Sequence, residues 1–93
     1  MDLDPLALYE RALPAAFTRR SMVIAPGQAY PYDPAEWRGA LVIVAQGEVE
    51  VESLHGSRYT FAAGAMLWLD GLPLRALHNP GSTPTTLVAI TRL

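Results

Sequence analysis

Apolar and polar positions change rhythm once along this 93-residue chain. Near the start, Leu6, Leu8, Tyr9 and Leu13 form an apolar stripe at helical spacing; Asp4 can cap it and Pro5 suits the first helical position. One short N-terminal helix, ended by Pro14, is therefore predicted within a helical segment spanning 1–16. Over 17–93 the helical period gives way to short apolar runs separated by Gly, Pro and Asp, the grammar of β-structure. The runs Phe17 to Ile24, Ala40 to Ala45, Glu48 to Leu54, Arg58 to Ala62, Met66 to Leu69, Leu74 to His78 and Thr85 to Thr91 read as strands. Pro26-Gly27, Gln46-Gly47, His55-Gly56, Ala63-Gly64, Asp70-Gly71 and Pro80-Gly81 read as turns, because glycine supplies the positive φ that tight connections require. This predicts a sandwich or small barrel with sequential strands paired antiparallel.

Two of the runs carry further information. In EVEVE, Glu48, Glu50 and Glu52 share one face and Val49 and Val51 the other, so the strand has a wet side and a dry side. In ALVIVA both faces are apolar. Such a strand must be covered on its outer side, by the N-terminal helix or by a second subunit, and a homodimer is the expected assembly.

Composition narrows the function classes. Half of the residues are apolar (51 %) and only 17 % are charged, which fits a folded domain and excludes a disordered chain. Ninety-three residues suffice for one core, so 1–93 is predicted to be one domain. The net charge is −2, with seven Arg, no Lys and no basic run, so the clustered cations that neutralise phosphates are missing and no nucleic acid is expected as partner. There is no Cys, hence no disulfide, thiolate nucleophile or Cys-ligated metal. No apolar stretch reaches the ~20 residues of a membrane span, and the acidic start MDLDPLALYE does not resemble a signal peptide. A protein of the cytoplasm with no membrane partner is expected.

One stretch bears on chemistry. The second metal-binding motif of the cupin superfamily runs G-x5-P-x-G-x2-H-x3-N, and here Gly64, Asp70, Leu72, Arg75 and Asn79 stand at those spacings. Upstream, ALVIVAQGEVEVE is similar to the end of the first motif, with Gly47 as its glycine. The chain thus resembles cupins over 40–92 closely and over 17–39 loosely. The resemblance implies an all-β fold, a double-stranded β-helix (jelly-roll, cupin-like) barrel, joined to the short N-terminal helix. The first motif's glutamate falls on Ala40 when counted back from Gly47. Alternatively YPYDPAE places Tyr30 and Tyr32 at the two histidines and Glu36 at the glutamate, with a loop insertion before Gly47.

Either way the metal-ligating histidines that the family uses are replaced. Arginine has no acceptor lone pair and repels a cation, so no metal and no cofactor are expected. His78, three residues beyond Arg75, is expected on the opposite strand face, and His55 falls in a turn. Arg75 is expected to point into the barrel, paired there with Glu36 or Asp33, or with a bound small organic anion. Tyr30, Tyr32, Met66 and Trp68 would complete the aromatic wall of that cavity, with Trp37 on the loop nearby. No catalytic residue is assigned. The expected function is a non-catalytic module that binds an organic anion, or acts as a sensor or accessory domain. Two alternatives remain open: a cofactor-independent isomerase or cyclase using Glu36 or a tyrosine as acid/base, and an interaction protein with a plugged barrel.

Overall fold

The computed structural model describes residues 17–92. The predicted N-terminal helix lies outside the described residues. Eight strands follow in order: β1 (Phe17–Ile24), β2 (Ala29–Pro31), β3 (Ala40–Gln46), β4 (Glu48–Ser53), β5 (Arg58–Ala62), β6 (Met66–Trp68), β7 (Leu74–His78) and β8 (Thr85–Arg92). One short helix, α1 (Pro34–Trp37), lies between β2 and β3. No helix among the described residues is long and apolar enough to cross a membrane.

The strands form two four-stranded antiparallel sheets, ordered β1-β8-β3-β6 and β2-β7-β4-β5. The pairs are nested: β1 with β8, β2 with β7, β3 with β6 and β4 with β5. This is the jelly-roll arrangement. It corrects the expectation of sequential pairing, because only β4 and β5 are neighbours both in sequence and in a sheet. The glycine turns mostly carry the chain from one sheet to the other. Gly47 shows what such a crossing demands. It sits between β3 and β4 at φ +75, and a Cβ there would come within 2.7 Å of the Pro84 carbonyl oxygen and 2.9 Å of Thr85 Oγ1.

The core lies between the sheets. Ile24, Val42, Val44, Val49, Val51, Leu67, Leu69, Leu77, Leu87 and Ala89 meet there, and Trp37 of α1 joins them as one of the largest fully buried side chains. Val49 and Val51 are inside and the glutamates of EVEVE outside, as alternation predicts. ALVIVA is apolar on both faces in fact: Ala40, Val42 and Val44 face the core, while Ile43 forms a second cluster with Val88 and Ile90 on the other face of the first sheet. The missed strand, β2, is three residues long and ends in proline. As an edge strand it tolerates a residue that cannot donate to the ladder.

Candidate functional site

Three of the six sequence-derived site residues come together at the end of the barrel that carries α1. Strand β2 pairs with β7, with Tyr30 opposite Leu77, and the backbone N–H of Tyr32 donates to the Arg75 carbonyl at 3.0 Å. The chain then turns into α1. Asp33 caps it by accepting from the Ala35 N–H at 3.0 Å, and Pro34 stands in its first turn. This turn of helix sets Glu36 beside Tyr30, whose hydroxyl donates to Glu36 Oε1 at 2.6 Å. It also drives Trp37 into the core, 1 % exposed. The Tyr32 hydroxyl donates to the Leu69 carbonyl at 3.1 Å, and Asp70 Oδ2 accepts from the Gly39 N–H at 3.0 Å.

A fourth group at this end was not expected from the sequence. Arg20 lies on β1 opposite Ala89, on the inner-facing side that it shares with Met22 and Ile24. Its Nη1 is 3.4 Å from Glu36 Oε1, its Nη2 donates to the Glu36 carbonyl at 3.0 Å, and its guanidinium carbon lies 5.2 Å from the Trp37 ring centroid. From the sequence alone the adjacent pair Arg19-Arg20 reads as an exposed strand face. Two-residue alternation back from buried Ile24 is the signal that separates Arg20 from Arg19.

The tyrosine hydroxyls feel the carboxylates around them. Tyr30 is held above its usual pKa, first by the hydrogen bond to Glu36 and then by burial and the Glu36 charge, with Arg20 opposing. Tyr32 is also pushed up, by burial first and then by the charges of Asp70 and Asp33. Both are therefore protonated donors at neutral pH. The indole Nε1 of Trp37 is buried and has no hydrogen-bond partner.

The other three residues are elsewhere. Arg75 does not point into the barrel. Its side chain is 57 % exposed on the outer face of the second sheet, 3.7 Å from Glu52, and it donates to the Leu54 carbonyl at 3.0 Å. The physical reason is a bulge: Glu52 pairs with Ala76 but Ser53 pairs with Leu74, so Arg75 is an extra residue that breaks the alternation. For the same reason His78 is not on the opposite face from Arg75. His78 Nε2 lies 2.8 Å from Glu52 Oε1, so both side chains meet the same carboxylate. Arg75 thus has a carboxylate partner, but it is Glu52 rather than Glu36 or Asp33, and it anchors no anion inside the barrel.

Met66 and Trp68 also face outward, 54 % and 57 % exposed, opposite Ile43 and Leu41, while Leu67 and Leu69 face the core. Every residue of the MLWL run is apolar, so hydrophobicity does not distinguish its faces. His55 lies in the turn between β4 and β5 and is exposed.

These residues do not fit a transition ion. Of the four motif positions, Arg75 cannot ligate and lies outside, the Tyr30 hydroxyl is committed to Glu36, and the Tyr32 hydroxyl to a backbone carbonyl. Among the described residues no three His, Asp or Glu side chains gather as a metal-binding group.

No protein-family model matches the sequence, and no curated protein matches it. Solved structures do. A Cupin 2 conserved barrel domain protein from Salinispora arenicola superposes with a TM-score of 0.63 at 23 % identity, over 85 % of this chain and 65 % of that one. The chain has the cupin fold. The Cupin 2 domain of an XRE-family transcriptional regulator from Enterobacter cloacae gives 0.59 at 23 % identity, over 84 % of this chain and 82 % of that one. Ectoine synthase from P. lautus gives 0.56 at 21 % identity, over 84 % of this chain and 54 % of that one. The chain therefore spans less than two thirds of the length of the first and third of these cupin-fold proteins.

Proposed function

We propose that this cupin-fold chain is a metal-free, non-catalytic module that binds a small molecule at the α1 end of its barrel, as a sensor or accessory domain. The observation that carries this reading is the convergence of Tyr30, Glu36, Arg20 and Trp37 in one hydrogen-bonded and stacked group, with the indole Nε1 left unpartnered. A buried N–H without an acceptor is costly, and a ligand that supplies one is favoured there. The likeness to a regulator's Cupin 2 domain, covered over 82 % of its length, supports the sensor or accessory role. Acid/base catalysis by a tyrosine is disfavoured, because the raised pKa of Tyr30 keeps it a proton donor within a structural bond.

The chain has two tryptophans, so in a Trp68→Phe variant the emission reports on Trp37 alone. Titration of that variant with small carboxylates, amines, amides and Zn²⁺ tests the proposal. A saturable change with at least one organic class is expected. Stoichiometric response to Zn²⁺, or silence toward every organic class, would overturn the reading. Pairing with a second copy through the outer face of the first sheet belongs to the same proposal, supported by exposed Val23, Met66 and Trp68. Light scattering that returned the 10.1 kDa of one chain at micromolar concentration would remove it.

A further inference from the structure

The guanidinium of Arg20 is held by three groups of one short segment: the Glu36 carboxylate at 3.4 Å, the Glu36 main-chain carbonyl at 3.0 Å and the face of Trp37 at 5.2 Å. Tyr30 fixes that carboxylate by donating to its Oε1 at 2.6 Å. A carboxylate, a carbonyl and an aromatic face around one point are the complement of a planar or compact organic cation. Arg20 itself comes from a different element, the edge strand β1, and its side chain is 47 % exposed. It can swing into solvent without disturbing the ladder.

We propose that this end of the barrel recognises a small organic cation bearing a guanidinium or ammonium group, and that Arg20 occupies the site intramolecularly until such a ligand displaces it. The inference rests on the small-molecule reading above and names the ligand class.

Local charge selects the sign. Around Tyr30 and Tyr32 the carboxylates of Glu36, Asp33 and Asp70 all act on the hydroxyls, and Arg20 is the cation acting against them. An incoming anion would have to break Glu36 away from Arg20 and then face the remaining carboxylates. An incoming cation exchanges with Arg20 like for like, keeping every acceptor satisfied. The Trp37 ring beneath the guanidinium carries the second pointer, a buried Nε1 donor with no partner.

The test follows the Trp37 indole N–H signal by NMR, assigned with Trp68→Phe, while methylguanidinium or acetate is added at constant ionic strength. Wild type, Arg20→Ala and Glu36→Gln are compared, with Arg20→Met as a second opening variant that keeps apolar cover over the ring. Methylguanidinium is expected to shift the Trp37 signal saturably, about tenfold more tightly once Arg20 is removed and more weakly in Glu36→Gln. Equal affinity in wild type and both Arg20 variants would overturn the displacement. Saturation by acetate alone would overturn the cation class and leave the small-molecule site standing, whereas silence toward both probes would remove the site as well.

Discussion

Arg20 meets Glu36 against a fully buried tryptophan, whereas Arg75 meets Glu52 on an open sheet face among Glu50, Arg58 and His78. Both are arginine–glutamate pairs at similar separation, 3.4 and 3.7 Å, yet their surroundings give them different meanings. Each partner of Arg20 belongs to α1, and the core places α1 through Trp37, so the groups that receive the guanidinium are held in one place. On the outer face, Glu52 is shared by Arg58 at 3.8 Å, Arg75 at 3.7 Å and His78 at 2.8 Å. There three cations share one carboxylate, so no single pair sets the geometry of the cluster. A cation stacked on a buried ring is the feature on which the proposed site rests. A cation sharing one carboxylate with two others marks a charged sheet face.

The comparison breaks most visibly at Trp37. Trp37→Ala removes a fully buried side chain that anchors the helix end, and a loss of about 3–5 kcal/mol is expected from urea unfolding. Leu54→Ala, at an exposed turn position away from the proposed pairing face, should change stability by no more than about 0.5 kcal/mol. If the two variants unfold at the same denaturant midpoint, the α1 end is not anchored through its tryptophan, and the contrast between the two pairs loses its basis.

Much of the barrel is legible in the sequence, and its failures have particular causes. The strands of β1, β5 and β7 fall at the expected residues because turn glycines bound runs of the right length. The cupin resemblance also names the fold correctly, since spacing and turn glycines record architecture even where ligand residues are replaced. Pairing order is less legible, because a glycine turn has the same signature whether it joins two strands of one sheet or crosses to the other. Arg75 is misplaced by the rule that usually works: strict alternation assumes no bulge, and the extra residue opposite Glu52 and Ser53 leaves no mark in composition. Arg20 goes unassigned for the opposite reason. Alternation from Ile24 holds there, but an arginine on a mostly exposed strand reads as surface until its contact with Trp37 is seen.

The smaller test uses pH, because the two clusters lose their proton balance at opposite ends of the scale. Glu52 is held below its ordinary value of 4.5, first by the hydrogen bond with His78; burial, the next effect, opposes this, and the charges of Arg58, His78 and Arg75 add to the lowering. A carboxyl whose folded pKa is depressed stabilises the fold above its unfolded pKa, and that stabilisation is lost as pH falls through the folded value. Tyr30 is raised above 10.0, so its contribution is complete below pH 10 and is lost as pH rises through the folded value. Stability measured by urea unfolding across the pH range should therefore fall below about pH 4.5 with a slope that Glu52→Gln reduces, and fall above about pH 10 with a slope that Tyr30→Phe reduces. Each substitution should leave the other limb unchanged, since the two groups lie on strands of the second sheet that β7 separates and share no partner. Added salt should flatten the acid limb more than the alkaline one, because the Arg58 and Arg75 charges that act on Glu52 are exposed, whereas Tyr30 is tied to Glu36 by a 2.6 Å bond. A Glu52→Gln variant with an unaltered acid limb would mean that the outer cluster holds the sheet no more firmly at neutral pH than in acid. The contrast between the two arginines would then rest on Trp37 alone.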